Sequence, residues 1–338
     1  MSEIRMMLEE VGELAQAALE GSGASPVNAA SVSGSTVLAE RDGIRSHGLM
    51  YVPIYAEHVS CGKVDGEAVP LVERASYGSI RVDARSGFAH PAIDAGYNLL
   101  CEAAREYGVA AMTIYNSYNC GVLGHHAERL AEEGLLGLCF THAPASIAPV
   151  GGRKRVIGTN PFALGVPDGN GSALIVIDQS ASAIAKSEIM LRARTGEPIE
   201  SHWALDEQGH PTTDASVALA GSMVPSGGYK GFGVGLMVEI MAACLSGAVL
   251  SKDASPFSGT EGGPPKTGQC FLAFDPAAYS GSLFREKIVE LADAISVQDG
   301  ARLPGSRRKA NRERIEEEGV MVELELLERI RHYIQKDV

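Results

Sequence analysis

The sequence lacks the short motifs by which nucleotide sites and hydrolytic nucleophiles are most often read. No G-x-G-x-x-G separates a strand-like from a helix-like segment, and no G-x-x-x-x-G-K-[ST] occurs. A standard Rossmann domain and a P-loop are thereby excluded, because both cradle phosphates on such glycine turns. A G-x-S-x-G nucleophile elbow is also missing. Cysteine is sparse: Cys61, Cys101, Cys120, Cys139, Cys244 and Cys270 form no C-x-x-C pair, and several lie in apolar runs. That excludes a zinc or disulfide framework and leads us to expect reduced thiols in a cytoplasmic protein. No run approaches the roughly 20 uninterrupted apolar residues of a membrane span. The longest candidate, 231–249, contains Glu239 and several small residues and reads as a buried helix. The start, MSEIRMMLEEVGEL, carries acids throughout and no apolar core, so a signal peptide is not expected. Positive charge is in deficit, with 29 Lys and Arg against 42 Asp and Glu and a net charge of −13. This argues against nucleic acid or an anionic membrane as the main partner, while a local basic cluster can still hold a small anion.

What the sequence does have is a globular balance of 45% hydrophobic and 21% charged residues, enough for a sizeable core, over 338 residues. Its 39 glycines point to many tight turns and close backbone approaches, as ligand-binding α/β enzymes use. Residues 3–21 and 26–41 read as helices, the second capped by Ser25 with Pro26 at its first position. The turn RDGIRSHG follows, then a short helix near 52–60 and a strand at 78–84. A helix from Pro91 to about Tyr107 stops at Gly108, and a buried strand at 109–114 delivers the loop NSYNCG at 116–121. A helix at 122–133 ended by Gly134, a strand at 135–141, a strand at 173–177 and a helix near 182–195 continue the alternation. This rhythm is an α/β signature. Residues 230–250 are apolar on nearly all sides and are expected in the core. A late strand at 270–274 and helices near 282–296, 307–318 and 322–335 close the chain, and the turn-rich stretch 251–268 reads as a long functional or mobile loop. Two parts are expected: a mainly helical one from 1–75 and 282–338, and an α/β one from 76–281.

Several clusters carry chemistry. Ser46-His47 sits in a turn between helices, where a hydroxyl beside an imidazole can orient a proton for acid catalysis; the same dipeptide is also an ordinary surface turn. Gly158-Thr159-Asn160-Pro161 combines turn formers with side chains able to hold substrate oxygens. Asp178-Gln179-Ser180 falls where a strand ends and a helix begins, a place where ligands bind in α/β sheets and where helix capping is the alternative use. Leu303-Pro304-Gly305-Ser306-Arg307-Arg308-Lys309 is a glycine turn followed by three cations, suited to a phosphate or to a solvated helix start. His125 and His126 are adjacent on a helix, point in different directions and make poor partners for one metal; no metal site is expected.

In order and spacing, DGIRSHGL (42–49), IAPVGGRKRVIGTNPFALGVP (147–167), WALDEQGHPTTD (203–214), VPSGGYKGFG (224–233) and RLPGSRR (302–308) resemble one family over about 28–311. It is the malate/L-lactate dehydrogenase family unrelated to the Rossmann lactate and malate dehydrogenases, with sulfolactate dehydrogenase, ureidoglycolate dehydrogenase, diketogulonate reductase and the piperideine/pyrroline-2-carboxylate reductases. The resemblance implies an α/β fold with a mixed sheet flanked by helices, a nicotinamide cofactor bound in a non-Rossmann manner, and a homodimer with its site near the subunit interface. It implies an NAD(P)-dependent oxidoreductase that moves hydride to or from C2 of a small 2-oxo or 2-hydroxy acid. The alternative is reduction of a cyclic 2-imino acid, and a third reading is a non-catalytic binding protein on the same fold.

By the same resemblance, His47 is the proton donor, Ser46 its relay partner and Glu188 the carboxylate completing the relay. Thr159 touches substrate. The loop Asn119, Cys120 and Gly121, with Asp178, Gln179, Ser180, Lys230 and the turn Pro304, Gly305, Ser306, Arg307 and Arg308, meets the cofactor. The basic run at 307–309 leans the expectation to NADP over NAD. Two positions depart from the family pattern: Tyr51 stands where a substrate-clamping arginine is usual, and Asn119-Cys120 where His-Phe is usual. Both are expected to face substrate, and Arg45 is a candidate for the missing cation.

Overall fold

Alternation between two buried faces is what builds the sheet. The computed structural model describes residues 2–334, so the final position of the helix expected near 322–335, like residues 336–338, lies outside it. In chain order the elements are β1 (Glu3–Met6), α1 (Leu8–Gly21), α2 (Pro26–Arg41), two 3-10 turns (Arg45–His47 and Leu49–Tyr51) and α3 (Val52–Ser60). Then come β2 (Leu71–Ser76), β3 (Ser79–Asp83), α4 (Ala89–Tyr107), β4 (Val109–Ser117), α5 (Leu123–Glu132), β5 (Leu136–Thr141), β6 (Phe162–Pro167) and β7 (Ala173–Gln179). They are followed by α6 (Lys186–Thr195), β8 (Ala204–Leu205), α7 (Ala215–Ala220), β9 (Ser222–Met223), α8 (Tyr229–Glu239) and β10 (Thr267–Phe274). The chain ends with α9 (Pro276–Ser280), α10 (Leu283–Ser296), α11 (Ser306–Glu318), β11 (Val320–Glu323) and α12 (Leu324–Ile334).

The main sheet has seven strands in the order β2-β3-β4-β10-β5-β6-β7. Only β3 and β4 pair in parallel; the other neighbours are antiparallel, so the sheet is mixed. Following these directions across the sheet, β3, β4, β5 and β7 all end at one edge, where β6 and β10 begin. Successive side chains of a strand face opposite ways, and here Cys139 and Phe271 face the core under α4 and α5 while Phe140 and Cys270 face Val238 and Ala242 on the other side. Helices therefore flank both faces. Gly165 allows α5 its close approach to β6, because a Cβ there would lie 1.9 Å from the Ala127 carbonyl oxygen.

Three sequence expectations change. Residues 3–6 are a strand, not the start of α1, because Glu3–Met6 pairs antiparallel with Val320–Glu323 and ties the two ends of the described chain together. That pairing also shortens the last helix, which starts at Leu324. The 230–250 stretch is not one core helix: α8 gives way to a π-helical turn at Ile240–Cys244. Its inner residues Val238, Ala242 and Ala243 are buried, whereas Leu236, Met237, Ile240 and Leu245 are exposed. Ser25 caps α2 as expected, accepting from the Asn28 amide at 3.3 Å.

Helices α2, α5 and α11 meet at one buried carboxylate. Asp42, 2% exposed, accepts from Arg312 Nε at 2.7 Å and Nη2 at 2.9 Å, from His125 Nε2 at 3.0 Å and from Arg41 Nε at 3.3 Å. Arg312 reaches Glu128 with its other edge at 2.8 and 2.6 Å. Burial pushes the Asp42 carboxyl up, but hydrogen bonds from Arg312 and His125 outweigh it and hold the group well below the usual carboxylate range. Removing one partner of such a cluster strands the others uncompensated. Arg312→Ala is expected to cost about 3–5 kcal/mol of unfolding free energy in urea titration; a loss below about 1 kcal/mol, the exposed-pair value, would show that the cluster is no keystone.

Candidate active site

The edge where β3, β4, β5 and β7 end is where the chemistry-bearing turns gather, as carboxyl ends of strands do in open α/β sheets. The tight turn after α2 presents Ser46 and His47, with Ser46 Oγ 3.1 Å from His47 Nδ1. When Ser46 donates to Nδ1, the ring proton resides on Nε2. Gly48 permits this turn, since a Cβ there would lie 2.2 Å from Glu40 Oε1, and the Glu40 carboxylate accepts from the Leu49 amide at 2.7 Å. Burial pushes the His47 imidazole below its ordinary value; Asp178 pulls it back up, while His125 and Arg308 push it further down. His47, Asp178, His125 and Arg308 thus form one electrostatic neighbourhood from segments more than fifty residues apart.

Asp178 ends β7 and accepts from the Gly124 amide at 3.0 Å and from Arg308 Nη2 at 2.7 Å. A Cβ on Gly124 would sit 2.3 Å from Arg308 Nη1, so the start of α5 lies directly on this pair. The 303–305 turn is fastened to β7 by the Val176 amide donating to the Pro304 carbonyl at 3.2 Å and by Lys309 Nζ reaching the Ala173 carbonyl at 2.8 Å. Gly305, at φ 93°, opens α11. A cleft of about 170 Å³ runs beside it, lined by Leu303, Pro304, Ser306, Arg308, Glu128 and Arg312 among others. Arg308 Nη1 is buried there without a protein acceptor, and Arg307 lies exposed next to it. A buried, unsatisfied guanidinium N–H beside a cleft and a basic helix start fits an anionic group such as a cofactor phosphate.

The loop after β4 forms another wall. Asn119 Oδ1 accepts from the Gly121 amide at 2.7 Å and from Tyr55 Oη at 3.3 Å, and Asn119 Nδ2 approaches Tyr51 Oη at 3.5 Å. The Tyr51 ring lies parallel to His47, with centroids 6.3 Å apart. Cys120 takes part through its backbone, its carbonyl accepting from His126 Nε2 at 2.9 Å, while burial raises its thiol to about 12. On the other flank, the Thr159 carbonyl accepts from the Ala181 amide at 2.8 Å and Ser180 Oγ meets Ser182 Oγ at 2.9 Å. Gln179 and Lys230 are exposed.

Two expected site residues point elsewhere. Arg45 is exposed and donates to the Met321 carbonyl at 3.0 Å. Glu188 accepts from Arg192 Nε at 2.9 Å within α6, and no hydrogen bond joins it to Ser46 or His47 among the described residues. Conversely, sequence reading passed over Asp42, Tyr55 and Glu239. Glu239 is buried and accepts from Asn160 Nδ2 at 2.8 Å and the Ser251 amide at 2.8 Å, so it holds both the Thr159-Asn160 turn and the start of the 251–266 loop. A lone acid in the apolar 231–249 run was the available signal, since buried carboxylates persist only when paired or hydrogen-bonded. Among the described residues no three His, Cys, Asp or Glu side chains gather as a metal site, and no helix is long and apolar enough to cross a membrane.

A non-Rossmann α/β dehydrogenase or reductase is the class that this sheet and site define, and known proteins agree. The Δ1-piperideine-2-carboxylate reductase structure from Pseudomonas syringae superposes with a TM-score of 0.90 at 34% identity, covering 98% of this chain and 99% of that one. A sulfolactate dehydrogenase structure from Methanocaldococcus jannaschii shares the fold at a TM-score of 0.88 and 24% identity, covering 98% of this chain and 96% of that one. In sequence, the (2R)-3-sulfolactate dehydrogenase (NADP(+)) of Chromohalobacter salexigens is 45% identical over 90% of this chain and 91% of its own length. A Δ1-pyrroline-2-carboxylate reductase of Ancylobacter novellus is 38% identical over 94% of both. The malate/L-lactate dehydrogenase family model matches residues 6–331, and the chain belongs to that family.

Beneath the 119–121 loop lie two imidazoles, the buried His90 and the half-buried His126, whose rings are 6.1 Å apart. Burial lowers His90 to about 3 and His126 to about 4, in both cases helped by a neighbouring histidine. Both are therefore neutral in the fold at pH 7 but protonate near pH 6.5 once unfolded. Their contribution to stability is complete above about pH 6.5 and is lost as pH falls toward 4, by about 1.4 kcal/mol per histidine per pH unit at most. The Tm is expected to fall over that window, with a shallower fall in His126→Gln; equal slopes in the two proteins would contradict this origin.

Proposed function

We propose that the chain is an NADP-linked oxidoreductase moving hydride to and from C2 of a small 2-oxo/2-hydroxy acid of the malate, lactate or sulfolactate type. The observation that carries this reading is the hydrogen-bonded Ser46–His47 pair, held between the Asp178–Arg308 ion pair and the Tyr51–Asn119 wall. Sulfolactate heads the substrate candidates because the 45%-identical relative acts on it. A cyclic 2-imino acid is the second, favoured by the pyrroline-2-carboxylate reductases at 38% identity.

When bound, the nicotinamide cofactor supplies or accepts the hydride. The chain's own groups do the rest. His47 gives the Nε2 proton to the substrate's C2 oxygen or nitrogen as negative charge develops there. In the protonated ring Ser46 Oγ accepts from Nδ1–H and so leaves Nε2–H as the proton that is passed on. Because burial weakens the imidazolium, the proton leaves readily. Thr159, Asn119 and Tyr51 orient the substrate. For the cofactor we assign Asp178, Gln179, Ser180, Lys230, the backbone of Cys120 and Gly121, and the 304–308 turn. Arg307, Arg308 and Lys309 favour NADP by offering cations to a 2′-phosphate. The cytoplasmic location we assign is supported by the unpaired state of all six cysteines.

The exposed apolar residues Leu236, Met237, Ile240 and Leu245, on α8, its π turn and the residue after it, make a surface of the kind soluble chains cover by association. We assign it to a homodimer in which this face meets a second copy.

Reduction of sulfopyruvate, pyruvate, oxaloacetate and Δ1-pyrroline-2-carboxylate, followed by NADPH absorbance, tests the reaction; absence of turnover with all four would overturn it. His47→Ala is expected to lower kcat by at least about 100-fold while NADPH affinity stays within about threefold; joint loss of both would mean a structural role. For reduction, kcat/KM should fall as pH rises through the His47 pKa, because the donor must be protonated, and that inflection should lie below about 6.5. Ile240→Asp should give a monomer by light scattering, and a dimer that persists would remove this face from the interface.

A further inference from the structure

The hydrogen bonds around Asn119 have a fixed polarity. A backbone amide can only donate, so the Asn119 atom 2.7 Å from the Gly121 nitrogen is the carbonyl oxygen. Tyr55 Oη donates to the same oxygen at 3.3 Å. Both of that oxygen's lone pairs are thereby used, and the amide nitrogen is turned toward Tyr51, whose Oη accepts at 3.5 Å. Two hydrogens are left over: the Tyr51 hydroxyl hydrogen and the second hydrogen on Asn119 Nδ2. Neither has an acceptor among the described residues.

We infer that Tyr51 O–H and Asn119 Nδ2–H form an uncharged two-donor clamp for the C1 carboxylate of the substrate, and that Tyr55 is the positioning residue that sets its polarity. The inference rests on the functional reading above and deepens it. Tyr51 stands beside the proton donor, with the two ring centroids 6.3 Å apart. The Tyr51 ring lies 5° from parallel with His47, and in a 2-oxo or 2-imino acid the carboxylate is one bond from the carbon whose oxygen or nitrogen takes the proton. Tyr55 is 2% exposed and wedged edge-on against Tyr51, Phe88 and Tyr118, so its hydroxyl cannot swing away. The two cations nearest in sequence or packing are engaged elsewhere. Arg45 is taken by the Met321 carbonyl, and the buried Lys63 donates to the Pro256 and Gly259 carbonyls behind Tyr118. Burial raises the Tyr51 and Tyr55 hydroxyls well above the ordinary tyrosine value, which keeps both as donors across the working range.

The test separates the clamp from the reaction by using oxalate, a non-reducible dicarboxylate, bound to the enzyme–NADPH complex and measured by calorimetry. Tyr51→Phe should weaken oxalate about tenfold, because a hydrogen bond to a charged acceptor is lost. Asn119→Asp should weaken it more, since an oxygen replaces the donor. Tyr55→Phe, which touches no ligand atom, should weaken it about threefold by letting the Asn119 amide turn. With a reducible acid, each variant should raise KM by more than it lowers kcat, the mark of lost ground-state binding. Oxalate affinity unchanged in Tyr51→Phe, or no oxalate binding to the wild type, overturns the clamp. A wild type that binds oxalate in this pattern yet reduces neither sulfopyruvate nor Δ1-pyrroline-2-carboxylate upholds the clamp and counts against the functional reading instead. Tyr55→Phe equal to wild type while Tyr51→Phe is weakened removes only the positioning role.

Discussion

The cluster at Asp42 is the constraint on which the site's geometry depends. Arg312 grips Asp42 with one edge and Glu128 with the other, and His125 closes the remaining side of Asp42. Charges withdrawn from water gain little net stability, since desolvation offsets most of their attraction. What the cluster does instead is limit how three helices can be arranged. Asp42 ends α2 just before the Ser46–His47 turn, Glu128 and His125 lie on α5 beside Gly124, and Arg312 lies one helical turn after Arg308. Any shift of one helix against the others would leave a buried charge unpaired. The positions of His47, Asp178 and Arg308 relative to one another are inherited from this arrangement.

Around that fixed frame the site is largely uncharged. Burial keeps His47, His90 and His126 below the ordinary imidazole value, and the wall facing His47 is made of tyrosines and an amide. In a medium of low polarity, neutral donors with settled orientation act on developing charge without having to reorganise. The ion pair of Asp178 with Arg308 leaves one N–H of the arginine without a protein acceptor.

Much of this was legible beforehand, for identifiable reasons. Helices such as α4 and α5 carry a clear apolar face and stop at glycine or a turn, and β4 and β5 are short apolar runs between them. Ser46-His47, Asp178 and the 303–308 turn stand out as polar groups at turns. Asp42, Tyr55 and Glu239 do not: an aspartate after a helix looks like a cap, a tyrosine in α3 looks like core, and one acid in an apolar helix looks like an accident. Strand β1 was hidden because its partner lies more than three hundred residues away, and the edge strand β2 carries no buried alternation, all its residues being exposed.

By itself, then, the order of residues determined the α/β alternation, the family and the list of polar turns, because those follow from local periodicity and from motifs that remain readable one segment at a time. Tertiary structure alone decided which turns share a site and which way each donor points. It sent Arg45 to Met321 and Glu188 to Arg192, exposed the outer side of α8, and turned the Asn119 oxygen toward Gly121 and Tyr55. The physical reason is that hydrogen-bond direction and burial are properties of a neighbourhood, and neighbourhoods are assembled only when distant segments pack.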